Sequence, residues 1–189
     1  MPPKIKSIVV DTSVARAAND KKRDFALSHP ETILLPMQCA KFLEGMMCGH
    51  YCVVFSEALN DEWNRHRSTY SAKWRLSMTS RKLVCYVKQT EPILMTKVLA
   101  TQSQDRKKDA MEKDFHLIET ALASDQAIVS LDDMVRNLYS QAATSVGEIR
   151  RIVWGNPGNP DENLLQWLKD GAPADKKRQL GCRTNKKSL

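Results

Sequence analysis

At 189 residues, 42% of them hydrophobic, the chain is long enough to bury a core but short for two compact domains. It contains no apolar run of about 18 residues that could span a membrane, and its five cysteines (39, 48, 52, 85 and 182) form no CxxC pair. That argues against a disulfide frame or a zinc site and for free thiols. The net charge of +7 is unevenly spread: Trp63 to Gln89 holds seven Lys/Arg and Lys176 to Leu189 holds six, neither with an acid. The rest of the chain therefore has 16 basic against 22 acidic residues. Such segregation favours a polyanionic partner over a merely solvated helix face and tail.

MPPKIKSIVVD leads directly into a strand without a signal-peptide core, so a cytosolic protein is expected. Ile5 to Val10 reads as that first strand, ending in Asp11-Thr12-Ser13 before a helix from about Val14. Thr32 to Leu35, between Pro30 and Pro36, fits a short strand or an extended connection. Met37 to Cys48 reads as a helix with Phe42, Leu43, Met46 and Met47 on its apolar side, closed by Gly49. Tyr51 to Phe55 is a second strand, and Ser56 caps a helix running to about His66 that carries Glu57, Asp61 and Glu62.

The basic segment from Ala72 to Lys88 suggests one or two helices burying Trp74, Leu76, Leu83 and Val84. A helix from Pro92 to Ala100 and a polar loop from Thr101 to Lys108 follow. In KDFHLIETALASDQAIVSLDD, residues 113–133, Asp114 heads an amphipathic helix and lies on its apolar stripe of Leu117, Ile118, Ala121 and Leu122. Ala127 to Leu131 reads as a strand buried on both faces, with Asp132 and Asp133 at its carboxyl end. Next come a helix from about Met134 to Tyr139, a last strand from Arg150 to Trp154, the turn Gly155 to Pro160, and a helix from Asp161 to Lys169. One domain over residues 1–172, with a helical basic insertion at about 66–110, and a mobile, uncored basic tail over 173–189 are expected.

Strands alternating with helices imply a mostly parallel sheet covered on both faces, with ligands at the carboxyl ends of the strands. Asp11, Glu62, Asp114 and Asp132 converge on that edge. Singly, Asp11 and Asp132 could be helix caps and Glu62 a surface acid. Together they would repel one another unless a cation intervened, and an all-oxygen set suits Mg²⁺ or Mn²⁺. The chemistry that follows is attack of metal-activated water on a phosphodiester. Arg65, Arg67, Lys73, Arg75, Arg81 and Lys82 would hold the polyanion, with Tyr70 or Trp74 as stacking candidates.

IVVDTSV, SEALNDEW, KDFHLIETALASDQAIVSLDD and RIVWGNP together resemble the PIN domain, a family of metal-dependent ribonucleases that includes many bacterial toxins. The resemblance covers residues 5–157. It implies a three-layer α/β/α sandwich, RNA as substrate, and Asp11, Glu62, Asp114 and Asp132 as the acidic quartet. Ser130 takes the place of the family's hydroxyl residue two before the last acid. The resemblance also leaves open an antitoxin or other protein partner and a homodimer. Glu57 or Asp61 could replace Glu62, and Asp133 could replace Asp132. Asp125 is assigned to a turn, and His116 and His66 are further candidates to assist. Two alternatives accompany the endoribonuclease reading: a catalytically inactive nucleic-acid-binding module, and a haloacid-dehalogenase-like phosphatase. The second Asp of the latter's signature is here Ser13.

Overall fold

Apolar runs too short to be anything but buried strands organise the chain, and the helices between them cover both faces. The computed structural model describes residues 6–19, 30–88 and 92–182. The order is β1 (Ser7–Val10), α1 (Thr12–Ala17), α2 (Pro30–Cys48), β2 (Cys52–Phe55), α3 (Glu57–His66), α4 (Thr69–Ser80), β3 (Val84–Tyr86) and α5 (Pro92–Leu99). Then come α6 (Asp105–Leu122), β4 (Ala127–Val129), α7 (Asp133–Ala142), β5 (Val153–Gly155) and α8 (Leu164–Lys169). Single 3-10 turns occur at Gly147–Ile149, Pro160–Glu162 and Lys176–Arg178.

All five strands are parallel, in the order β3-β2-β1-β4-β5, with Ile8 opposite Val53, Val10 opposite Val129, Val54 opposite Cys85 and Ile128 opposite Trp154. α1 packs against α2 and α3, and α2 against α4 and α8, while α6 packs against α5 and α7. The result is a three-layer α/β/α sandwich. Helices on both faces explain why Ile8, Val9, Val10 and all of β2 and β4 are buried apolar residues without alternation. Strand order reverses between β1 and β4, and the connections diverge there to opposite faces, opening a crevice at the carboxyl ends.

Several expectations are corrected. Residues 32–35 are not extended: they belong to α2, which runs through Pro36 and buries Cys39, Phe42, Leu43 and Met46 further along. The basic segment is not wholly helical, since Val84–Tyr86 adds an edge strand, and Leu76 is 72% exposed rather than buried. α6 begins at Asp105, nine residues before the expected head, because Met111 and Phe115 extend its buried stripe through a charged run. β5 starts three residues later than expected, and the 161–169 helix is broken at Asn163, whose left-handed backbone (φ 42°) separates a 3-10 turn from α8.

The chain after residue 172 is also not uncored. Leu180 N donates to Ile152 O at 2.9 Å and Gly181 N to Arg150 O at 2.9 Å, laying this segment antiparallel along β5. Leu180 and Arg178 are buried. Glu162 accepts from Arg136, from Arg178 Nη1 at 3.3 Å and from Asn156 N at 3.0 Å, so one carboxylate ties α7, β5 and the C-terminal segment together. Residues 183–189 lie outside the described residues.

Removing Glu162 leaves two guanidiniums, one of them buried, without their shared acid. Glu162→Ala is expected to cost about 3 kcal/mol, read as a lowered urea midpoint at unchanged slope.

Candidate functional site

β1 ends at Val10, and the Asp11 backbone N–H donates to Val129 O at 2.9 Å, pinning the ends of β1 and β4 together. Asp11 occupies the N-cap position of α1 but makes no side-chain cap. Its carboxylate turns instead across the switch point, where Oδ2 accepts from Ser130 Oγ at 2.7 Å and from Ser13 Oγ. The two hydroxyls are 3.5 Å apart, and each also accepts a backbone N–H at 3.1 Å: Ser13 from Leu131 and Ser130 from Asp132. Ser13 is the member of this set that sequence reasoning missed. Its position two residues after a strand-ending Asp was the available signal.

Asp114 reaches the same edge from the middle of α6, and simple lengths explain why. α6 enters β4 through the turn at 123–126, so the two run antiparallel. Eight helical residues from Asp114 to Leu122 rise about 12 Å. Five residues of extended chain from Ala127 to Asp132 rise about 16 Å before the bend into α7. An acid at the head of this long helix would overshoot the edge. Asp114 is far enough from the α6 N-terminus to gain nothing from its positive end. Its carboxyl is pushed up to about 6, chiefly by burial and then by the negative charge of Asp11, with Asp132 adding to it.

Asp132 is the N-cap of α7, its Oδ1 accepting from Val135 N at 2.8 Å. Asp133 points elsewhere: Oδ2 accepts from Asn156 Nδ2 at 2.9 Å and Oδ1 lies 3.7 Å from Arg136 Nη1. Of the two, Asp132 is the one whose charge bears on Asp114.

Glu62 does not join these three. Trp63 Nε1 donates to Val10 O at 2.8 Å, which seats α3 beside the end of β1, but Glu62 Oε2 lies 3.3 Å from His116 Nε2. That contact holds the Glu62 carboxyl below its ordinary value and raises the His116 imidazole, although burial opposes the latter. Glu57 and Asp61 are exposed, as is His66. Asp125 sits at the opposite edge of the sheet, accepting from Ser7 N and Oγ at 2.8 Å each.

Among the described residues no group of three His, Cys, Asp or Glu side chains is gathered closely enough to hold a metal ion by itself. The donor set nonetheless fits Mg²⁺ or Mn²⁺ in kind. Mg²⁺ keeps most of its waters and is commonly bound through one or two carboxylates plus substrate phosphate. Asp114 in addition carries a repulsion from Asp11 that an added positive charge would relieve. Thr12 Oγ1, buried beside Asp11 in the chain, has no hydrogen-bond partner among the described residues.

The basic residues separate into two places. Arg65, Arg67 and Lys73 belong to α3, its C-cap and α4, whereas exposed Arg81 and Lys82 lie in the turn leading into β3, at the amino edge away from the acids. Tyr70 Oη donates to Ala40 O at 3.2 Å, and buried Trp74 donates to Leu43 O at 2.6 Å, so Trp74 belongs to the core rather than to a stacking surface. Among the described residues no helix is long and apolar enough to cross a membrane. No family model, curated protein or solved structure matches the chain.

Because the folded value for Asp114 (about 6) exceeds its ordinary 3.8, its ionisation costs the fold stability as pH rises through that interval, and the full cost stands above it. Asp114→Asn is therefore expected to stabilise by about 1–2 kcal/mol at neutral pH, after allowance for partial exposure, and to have little effect near pH 4. Denaturant unfolding at the two pH values checks this. Asp11→Asn should lower the Asp114 titration midpoint in a carboxyl NMR titration.

Proposed function

We propose that this chain is a metal-dependent endoribonuclease acting at Asp11, Asp114 and Asp132. The observation that carries the reading is the Asp11 carboxylate, fixed by Ser130 and Ser13 at the switch point of a parallel sheet, with the Asp114 carboxyl within reach of its charge. A bound Mg²⁺ or Mn²⁺ would neutralise the carboxylates and supply an activated water for phosphodiester hydrolysis. Asp11, fixed by Ser13 and Ser130, and Asp132, fixed by the α7 cap, would hold the ion. Asp114, close enough to Asp11 for their charges to interact, would accept a proton from the attacking water. Glu62 acts through its pair with His116, closing the wall between α3 and α6 rather than serving as a ligand. Arg65, Arg67 and Lys73 supply positive charge for the polyanion.

A second reading, a nucleic-acid-binding module without catalysis, is favoured by one observation: Glu62 is engaged by His116, so the fourth acid is withdrawn from the other three. Labelled single-stranded RNA incubated with the full chain and Mn²⁺ or Mg²⁺, with and without EDTA, separates the two. Cleavage that EDTA abolishes is expected, with Asp11→Asn lowering its rate by about 100-fold or more, at least ~2.7 kcal/mol of barrier, and leaving the melting temperature within a few degrees. Metal-independent cleavage, or full activity in Asp11→Asn, sinks the proposal. Retention without cleavage supports the binding module.

A further inference from the structure

Four aromatic rings form a row from the core to the carboxyl edge of the sheet. Trp74 and Trp63 have centroids 6.0 Å apart, Trp63 meets Phe55 edge-on at 5.1 Å, and Phe55 lies 6.2 Å from Tyr86. Trp74, Trp63 and Phe55 are buried, whereas Tyr86, the last residue of edge strand β3, is 66% exposed. Arg75 fastens this end of the row. Its guanidinium lies over the Phe55 ring at 4.3 Å, and Nη2 donates to Asn60 Oδ1 and, at 3.2 Å, to Tyr86 Oη. Arg75 is thereby committed to holding Tyr86 and Phe55 and is not a free phosphate ligand.

A solvent-exposed ring whose position is set by packing and a guanidinium hydrogen bond loses little entropy when a second planar group stacks on it. Parallel strands end at one edge, so Tyr86 lies beside Phe55 and about 10 Å, two strand spacings, from the end of β1 and Asp11. Lys88 follows it two residues later in the chain, and the surrounding segment 63–89 contains no acid. None of its cations forms an ion pair among the described residues.

We infer that Tyr86, positioned by Arg75, is a stacking platform for an unpaired base of a single-stranded RNA whose backbone crosses the basic surface of α3 and α4. This rests on the nucleic-acid reading above and adds the element that would favour unpaired over duplex substrate. A base offers a π-face to Tyr86 only when it has left a helix.

The test measures binding, in EDTA so that metal-dependent cleavage does not intervene. The probe is a fluorescein-labelled single-stranded RNA of about 12 nucleotides, compared with the same oligonucleotide made abasic along its central half. Tyr86→Ala and Tyr86→Leu are each expected to weaken binding of the intact oligonucleotide by roughly 5- to 150-fold. Tyr86→Trp should bind like wild type, and all four proteins should bind the abasic oligonucleotide alike. Because Tyr86 is exposed, the variants should melt with the wild type, and Tyr86→Leu keeps the apolar packing on Phe55 without the π-face. Equal binding of the intact RNA by wild type and both variants overturns the platform, as does an equal loss on the abasic probe. So does failure of the wild type to bind RNA at all, which would turn Tyr86 into a protein contact. Metal-dependent cleavage with binding indifferent to Tyr86 defeats the platform alone, whereas Tyr86-dependent binding without cleavage defeats the nuclease reading alone.

Discussion

The hydrogen bond from Ser130 to Asp11 crosses the gap where strand order reverses, and the carboxyl edge depends on it. Asp11 is 9% exposed at the end of a strand buried on both faces, a place where an unsatisfied carboxylate would cost several kcal/mol. Two hydroxyls answer that cost with charge-assisted bonds worth about 1.5–3 kcal/mol each. Each hydroxyl donates its single proton to the carboxylate and accepts a backbone N–H, so the bonds reinforce one another in sequence. One of those N–H groups belongs to Asp132, so the same chain of bonds that orients Asp11 also sets where α7 begins and where Asp132 stands.

The four acids are therefore not equivalent. Asp11 has two hydroxyl donors, Asp132 has the α7 cap, and Glu62 has His116. Asp114 has no such donor among the described residues, and burial and its acidic neighbours outweigh the opposing charges of His116 and Lys113. Structural carboxylates in a fold under selection only for stability would be expected to acquire a partner. A carboxyl left with its charge unfavourable is a group whose state is set from outside, by a proton or by a cation.

Much of this edge was legible in the sequence, because β1, β2 and β4 are apolar runs with no alternation, and Asp11 and Asp132 follow β1 and β4 within three residues. Asp114 was visible as a carboxylate on an apolar stripe, and it remains on that stripe with the helix head moved nine residues upstream. What was hidden depends on contacts between residues far apart in the chain. Asp133 is engaged by Arg136 on its own helix and by Asn156, 23 residues on, and no local pattern encodes the second contact. β3 is three residues long and follows Arg81 and Lys82, so its weak strand signal was submerged in a charge pattern. The N-terminal half of α2 contains β-branched residues between two prolines, which locally favours extension. Packing of the buried Cys39, Phe42, Leu43 and Met46 further along the same helix outweighs that preference. The buried course of residues 178–181 likewise rests on one exposed edge of β5, a feature of topology rather than of composition.

Topology also sets the direction from which a large ligand can approach. The β5 edge is covered by the C-terminal segment, while among the described residues β3 pairs only with β2. Positive charge near an uncovered edge has an ordinary explanation, since lysine and arginine discourage edge-to-edge pairing with another chain. That explanation accounts for Arg81, Lys82 and Lys88 but not for Tyr86, because an exposed aromatic ring on an edge strand promotes the association that the charges oppose. Nor does it account for Arg75, which spends its donors and its planar face on fixing that ring instead of standing in solvent. A cation spent on holding an aromatic ring at the carboxyl edge is a use of positive charge that protection of the edge does not call for.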